Sequence, residues 1–208
     1  MKYEEIIKLL KTANTVEEID LHRDEIAELI PQVRRTFGYD QKNHAHQFDL
    51  WMHSLHTVMN LDRNMEDDML YLAALLHDIG KPDCRVAGTR PGDTNMHYYG
   101  HPERSAEIVQ NEILNTLYEG DVNLSFEDQK RLVYFVRYHD DRISLRMKHL
   151  RKHLKLVTLK EYKKLMLLQV ADAKAHIMLP IIKERIEKCE KLSGEYADYL
   201  QEQIILGK

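Results

Sequence analysis

Several histidine and aspartate residues stand where a packed helical protein would normally have apolar side chains. The chain has 12 histidines in 208 residues. His77 and Asp78 directly follow the run 69–76, MLYLAALL, which contains no charged residue and therefore predicts a helix buried on every side. A carboxylate at the end of that helix faces the negative pole of the helix dipole unless a positive charge lies beside it. A bound cation would supply that charge.

Three other helical patterns place ionisable residues on apolar faces. Asp172 lies in the apolar stripe of LLQVADAKA, and an unpaired buried carboxylate is costly enough to require a partner or a metal. His139 extends another stripe, and His53 and His56 share one helical face because they are three residues apart. Taken singly, each is usually a helix cap, a satisfied core residue or an ion-pair partner. Together they favour a metal site.

The elements that must position these residues are all predicted to be helices. Thr15 with Glu18, and Thr158 with Glu161, have the spacing of capping boxes, Ser125 suits an N-cap, and Pro102 suits the first turn of a helix. No segment has the pattern of a strand. The fold class expected is all-α, with one long loop at 82–100 that is a candidate for function.

The polar segment 36–47 lacks any periodicity and is the best candidate for a boundary. We expect residues 1–44 to form an N-terminal helical lead-in packed on the main domain, and residues 45–208 to form that domain. The same segment could equally be a loop that covers the site.

The overall composition excludes several classes of protein. With 34 acidic and 30 basic side chains the formal charge is −4, so no global attraction to nucleic acid or to an anionic membrane is expected. The two cysteines, Cys84 and Cys189, match no thiolate metal motif. No signal peptide or membrane span is recognisable, and we therefore expect a cytoplasmic protein without a membrane partner.

Five phrases in order carry a family resemblance: FDLWMHSLHTV, LAALLHDIGKP, YYGHPERSAEI, VRYHDD and LLQVADAKAH. They resemble the HD phosphohydrolase superfamily over roughly residues 45–178, and their spacing is most similar to the HD domain of bacterial CCA-adding enzymes. The resemblance implies an HD-domain helical bundle. The nucleotidyltransferase head of those enzymes has no counterpart in residues 1–44, so nucleotide addition is not expected.

The resemblance also assigns candidate site residues. Its metal motif falls on His53, His77, Asp78 and Asp172, and the extra ligands of two-metal members fall on His101 and His139. His53 is preferred to His56 because the family's ligand is followed by Ser or Thr and then an apolar residue. The implied cofactor is one or two divalent metal ions, which could be Mn, Fe, Co, Ni, Zn or Mg.

In this interpretation Asp78 bridges two ions, and a hydroxide activated by them attacks phosphorus. Lys81 and Arg104 are candidate phosphate contacts with a catalytic role, although each could equally be a solvated surface charge. His44 and His46 could approach the site, and His97 could protonate the leaving group.

The function expected is that of a metal-dependent phosphohydrolase, a phosphodiesterase or phosphatase, acting on a nucleotide-type phosphomonoester or phosphodiester. Its substrate would be a phosphorylated small molecule or a nucleotide, and RNA is a further possible partner. The alternatives are a mixed-valent di-iron oxygenase of the HD type and a non-catalytic nucleotide- or tRNA-binding helical module.

The basic stretch 146–155 could face a phosphate, but such runs more often form a solvated face. His149 and His153 within it are four residues apart, a spacing that could bind metal.

Overall fold

A computed structural model describes residues 1–207, and within them it contains 12 α-helices and one small two-stranded sheet. The helices are α1 (Tyr3–Thr12), α2 (Val16–Asp20), α3 (Arg23–Leu29), α4 (Leu50–Met59), α5 (Asp68–Leu76), α6 (His101–Ile108), α7 (Leu114–Glu119), α8 (Phe126–Tyr138), α9 (Met147–Leu154), α10 (Leu159–Lys174), α11 (Pro180–Ser193) and α12 (Glu195–Ile205). Short 3-10 turns follow α3 and α5, at Pro31–Thr36 and Lys81–Cys84, and a π-helical segment, Val109–Ile113, separates α6 from α7. The all-α, HD-domain helical bundle is confirmed.

Helix α5 runs through the centre of the bundle, as its apolar sequence predicts. Its residues from Met69 to Leu76 are all buried, and α4, α8, α10 and α1 pack around it. Each fully buried leucine of this helix contributes roughly 1.5–3 kcal/mol of hydrophobic stabilisation. The His-Asp pair that ends α5 is therefore anchored by the best-packed element of the fold.

Side-chain caps begin the helices that surround α5. Asp49 accepts a hydrogen bond from the Met52 amide at the start of α4. The predicted caps are confirmed: Thr15, Ser125 and Thr158 each accept a hydrogen bond from the backbone N–H three residues later. These caps satisfy amides that the first turn of a helix leaves without partners.

The long loop 82–100 contains a pair of strands that the sequence patterns did not predict. Strands β1 (Val86–Ala87) and β2 (Met96–His97) pair antiparallel, so the expectation that no segment forms a strand is wrong here. Each strand has only two residues, which is too short for a period-2 pattern to be recognised. The ribbon exists because the loop folds back on itself.

The segment 36–47 packs against this two-stranded ribbon through hydrogen bonds. The Met96 amide donates to the Lys42 carbonyl at 2.8 Å, and the His44 amide donates to Asn95 Oδ1 at 2.9 Å.

In the N-terminal part, α1 packs on α5 and α2 packs on α4. The division of the chain at residue 44 stays a prediction. Within residues 1–207, every helix is too short or too polar to cross a membrane.

Candidate metal centre

Five helices bring six ionisable side chains to one buried point. All six are buried: His53 on α4, His77 and Asp78 at the end of α5, His101 at the start of α6, His139 at the end of α8 and Asp172 on α10. These are the six residues that the sequence proposed as ligands. The structure brings all of them together.

One half of the cluster contains two histidines and Asp172. Nε2 of His53 lies 3.0 Å from Oδ1 of Asp172 and 3.3 Å from Nε2 of His77. Nε2 of His77 in turn lies 3.1 Å from Oδ2 of Asp78. Four ligand atoms therefore converge on a space the size of one ion.

The other half contains His101 and His139. Their Nε2 atoms are 3.2 Å apart, and they lie 3.1 and 3.4 Å from Oδ1 of Asp78. Asp78 thus presents one carboxylate oxygen to each half of the cluster. This is the arrangement expected of a carboxylate that bridges two sites.

Backbone carbonyls decide which ring nitrogen faces the cluster. In His77, His101 and His139, Nδ1 lies 2.7–2.9 Å from a carbonyl oxygen three residues earlier in the chain. Because a carbonyl can only accept a hydrogen bond, the neutral ring carries its proton on Nδ1 and leaves a lone pair on Nε2. Such outer hydrogen bonds are typical of metal-binding histidines.

The donor set fits divalent cations. Oδ1 of Asp78 is buried and has no hydrogen-bond donor, although two imidazole lone pairs face it. Burial alone would lower the pKa of His77, but the carboxylates of Asp78 and Asp172 outweigh it and raise that pKa to about 10. The two buried carboxylates therefore favour a positive charge at the centre of the cluster, which a bound cation would supply. Imidazole and carboxylate ligands without thiolate suit transition metals such as Mn, Fe, Co, Ni or Zn.

His56 does not share this position. Its ring stacks on Phe48 with the centroids 3.9 Å apart and an interplanar angle of 14°. Nε2 of His53, one helical turn earlier, faces Asp172. Of the two candidates on α4, the structure brings His53 to the cluster and leaves His56 outside it.

Lys81 lies against the centre rather than on the protein surface. Its ammonium is 2.7 Å from Oδ2 of Asp78 and donates to Oε1 of Gln41 at 2.9 Å. The side chain is buried and lines the pocket that lies above the cluster. Lys81 therefore neutralises part of the charge of Asp78 and can also reach an anion in that pocket.

Arg104 is placed differently from its expected role. Its guanidinium pairs with Asp83 at 2.7 Å and with Glu107 and Glu112 at 3.3 and 3.8 Å. It is absent from the wall of the pocket above the metal cluster. Three carboxylates outside the pocket hold the side chain, so the structure does not support Arg104 as a phosphate contact.

Arg185 on α11 takes the position expected of Arg104. It lines the pocket together with Asp140, with which its Nη1 pairs at 2.5 Å. Its Nη2 donates to the His139 carbonyl at 2.9 Å and to Gln169 Oε1 at 3.0 Å, and its Nε is buried without a partner. No motif marked it, because it lies in the amphipathic C-terminal region beyond the recognised phrases. Only the packing of α11 on α10 brings it to the site.

Two further histidines border His53. The ring centroids of His46 and His176 lie 5.2 and 4.8 Å from that of His53, and both side chains line the pocket. Sequence patterns raised His46 as a candidate but missed His176. It lies just beyond the end of α10, where its Nδ1 is 2.9 Å from the Asp172 carbonyl oxygen. His44 bonds to Asn95 at 2.8 Å instead and is not on the pocket wall.

The pocket above the cluster has a volume of about 410 Å³. The ribbon residue His97 lines it and pairs with Asp93 at 2.8 Å. Tyr99, also in the lining, stacks on the His97 ring at 5.4 Å and is 75% exposed. The pocket is large enough for a small ligand, and its floor is polar and its rim aromatic.

Comparison with known proteins places the chain in a family. The HD domain model matches residues 46–176. The chain is 34% identical to a multifunctional CCA protein of Thioalkalivibrio sulfidiphilus over 85 residues, covering 40% of this chain and 19% of that protein. It is 31% identical to a multifunctional CCA protein of an Azoarcus species over 111 residues, covering 52% and 26%. The chain thus spans about a quarter or less of these relatives. It belongs to the HD domain family, within a superfamily of metal-dependent phosphohydrolases.

Proposed function

We propose that this chain hydrolyses a nucleotide-type phosphoester, either a monoester or a diester, at the cluster centred on Asp78. The observation that carries the proposal is that the two oxygens of Asp78 face separate histidine pairs, His53 with His77 and His101 with His139. Divalent ions held by these ligands would supply an activated water and would stabilise the charge that builds on phosphorus. The protein's own side chains bind and orient the substrate.

Two cationic side chains line the pocket where a phosphate would bind. Lys81, which follows α5, and Arg185, on α11, both line the pocket. Nη1 of Arg185 pairs with Asp140, but its Nε is buried without a partner and would donate a charge-assisted hydrogen bond to a phosphate oxygen. The two residues would fix the phosphoryl group above Asp78.

The leaving group requires a proton, and His97 is the candidate donor. It lies on the pocket wall within hydrogen-bond distance of Asp93, whose carboxylate orients the ring. The hydrogen bond from His97 lowers the pKa of Asp93 to about 2, so that this carboxylate stays ionised. A histidine oriented by a carboxylate is a common general acid.

Tyr99 is the reason for proposing a nucleotide rather than another phosphoester as the substrate. Exposed aromatic rings at a pocket rim stack on nucleobases, and Tyr99 is exposed next to a polar floor suited to phosphate. The relatives are named multifunctional CCA proteins, which makes nucleotides and short RNA the first phosphoesters to test.

The proposal is tested by a substrate screen on protein loaded separately with Mn, Co, Ni, Mg or Zn. Substrates would include nucleoside monophosphates, cyclic nucleotides, a short RNA, and simple alkyl phosphomonoesters and phosphodiesters, with metal content measured in parallel. We expect metal-dependent hydrolysis that Asp78→Asn abolishes and the surface control Asp121→Asn does not.

Other outcomes of the screen would support the alternative functions. Oxygen consumption that requires iron and cannot be restored by Zn or Mn would support an oxygenase. Nucleotide or RNA binding without turnover under every metal would support a non-catalytic module. Either result would overturn the proposed hydrolysis.

A further inference from the structure

A second group of metal-ligating side chains lies outside the centre described above. It consists of Asp141, just after α8, and of His149 and His153 on α9. The two histidines share one face of α9 because they are four residues apart. One ligand atom of each residue lies within 4.8 Å of the others. Three ligands from two elements therefore converge on one point.

The two imidazoles each hold a nitrogen without a partner. Nε2 of His149 and Nε2 of His153 are both buried and make no hydrogen bond. Nε2 of His153 lies 3.2 Å from Oδ2 of Asp141, yet it forms no hydrogen bond with it. Buried polar atoms are nearly always paired, so these two nitrogens call for a partner that lies between them and the carboxylate.

The orientation of His153 is fixed from its other side. Its ring is fully buried, and Nδ1 lies 2.9 Å from the hydroxyl of Tyr134. With the proton on Nδ1 donated to the tyrosine oxygen, the lone pair of Nε2 faces Asp141. A metal-binding histidine that donates its remaining N–H to an outer partner has this arrangement.

The charge state of His149 suits a ligand. Burial, with a further contribution from neighbouring His153, lowers the pKa of His149 to about 4. A neutral imidazole keeps the lone pair that a metal ligand requires. The basic residues of the same helix, among them Lys148, Arg151 and Lys152, are exposed. Helix α9 thus presents a basic face to solvent and its two histidines to the interior.

Lys152 supplies the positive charge beside Asp141 in the structure. Its ammonium lies 2.7 Å from Oδ2 of Asp141 and above the ring of Tyr138. The Lys152 side chain is 51% exposed, so it can move into solvent without unfolding anything. An ion at this point would compete with Lys152 for the same carboxylate oxygen.

We propose that Asp141, His149 and His153 form a further binding site for a zinc-class divalent transition metal, separate from the HD centre. Two imidazoles and one carboxylate are a ligand set that zinc accepts, with a water completing four-coordination. An ion bound there would link α9 to the end of α8. The site does not depend on the proposed hydrolysis.

The test is a zinc titration of the full-length protein against a chelating dye, with total zinc content measured after gel filtration. His149→Gln should remove one equivalent of zinc, while His22→Gln, which changes a partly exposed histidine that belongs to neither cluster, should remove none. Phosphoester turnover should be unchanged in His149→Gln. His149 is the ligand of choice because it is less buried than His153, and circular dichroism would verify that the variant folds.

A second variant, Lys152→Met, should strengthen zinc binding rather than weaken it. Lys152→Met removes the competing ammonium, so zinc should bind about tenfold tighter, as expected for the loss of one charge-assisted contact of about 1.4 kcal/mol. Equal zinc content in wild type and His149→Gln would overturn the proposal. So would zinc affinity that is unchanged or weaker in Lys152→Met, because the carboxylate of Asp141 would then take no part in binding.

Discussion

Nε2 of His101 lies 3.1 Å from Oδ1 of Asp78, and no hydrogen bond joins the two atoms. The ring proton of His101 is donated on the other side to the Tyr98 carbonyl, at 2.7 Å. Two groups with lone pairs would repel each other at this distance in a buried site unless a cation or proton lies between them. This pair is the strongest structural indication that the centre holds a second ion.

The first prediction follows from that relationship. The double variant His101→Ala, His139→Ala should bind one metal ion fewer than wild type, because it removes both histidines that face Oδ1 of Asp78. Hydrolysis should fall by at least about hundredfold, since one of two charges stabilising the transition state is lost. Unchanged metal content, measured by mass spectrometry of the dialysed proteins, would show that these histidines only line the pocket.

The second prediction concerns Gly80. A Cβ there would lie 2.5 Å from the Ser105 amide nitrogen and 2.9 Å from the Arg104 carbonyl carbon, both of them backbone atoms of α6. Gly80→Ala must therefore push α6 away, and His101 at its start would move with it. We expect a loss of about 1–3 kcal/mol in the free energy of unfolding, measured by denaturant titration, together with weaker metal binding.

Gly120→Ala is the matched control for Gly80. A Cβ at Gly120 would have its nearest neighbours at 3.4 Å, which is ordinary contact. It should leave metal affinity unchanged. Equal effects of the two substitutions would mean that the close approach of Gly80 to α6 is unimportant for the site.

The third prediction separates two arginines. Arg185→Met should lower kcat/KM about ten- to hundredfold, because one charge-assisted phosphate contact is worth roughly 1.5–3 kcal/mol. Arg104→Met should change kcat/KM less than about twofold, since its guanidinium is held by Asp83, Glu107 and Glu112 outside the pocket. Because Arg185 also contacts the His139 carbonyl, metal content must be measured in both variants. The reverse ranking of the two variants would restore Arg104 as the phosphate contact.

The fourth prediction tests recognition of a base. Tyr99→Ala should raise KM for a nucleotide about tenfold, in line with the roughly 1–3 kcal/mol of a base stacked on an aromatic ring, and should leave KM for an alkyl phosphoester unchanged. Tyr99→Phe should retain the wild-type value. Tyr118→Ala is a control, because Tyr118 is also exposed but is not on the pocket wall. A parallel rise in KM for both substrates would argue against stacking.

The sequence predicted the elements of this fold well because its local signals agree with one another. The apolar run before His77 is the buried α5, and the caps at Thr15, Ser125 and Thr158 begin helices where expected. The short ribbon was not predictable, because each strand has only two residues and depends on the loop closing on itself.

The site was only partly predictable, and the difference lies in tertiary packing. Most ligand candidates could be found from their own positions, because a His or Asp on an apolar helical face, or at the end of a buried helix, stands out in the sequence. His101, and the choice of His53 over His56, came from the family resemblance instead. Which cations reach the pocket depends on how distant helices pack. Arg104 pairs with Asp83 outside the pocket, and the packing of α11 places Arg185 on the pocket wall. Neither contact can be recognised from the neighbouring residues in the sequence.

Anomalous X-ray diffraction from crystals of the wild-type protein grown with Mn²⁺ would show directly how many ions Asp78 holds. If Asp78 bridges two ions, two anomalous peaks should lie on either side of its carboxylate, one beside His53, His77 and Asp172 and the other beside His101 and His139. A single peak that excludes His101 and His139, or no peak within bonding distance of Asp78, would contradict the central claim that Asp78 bridges two metal ions.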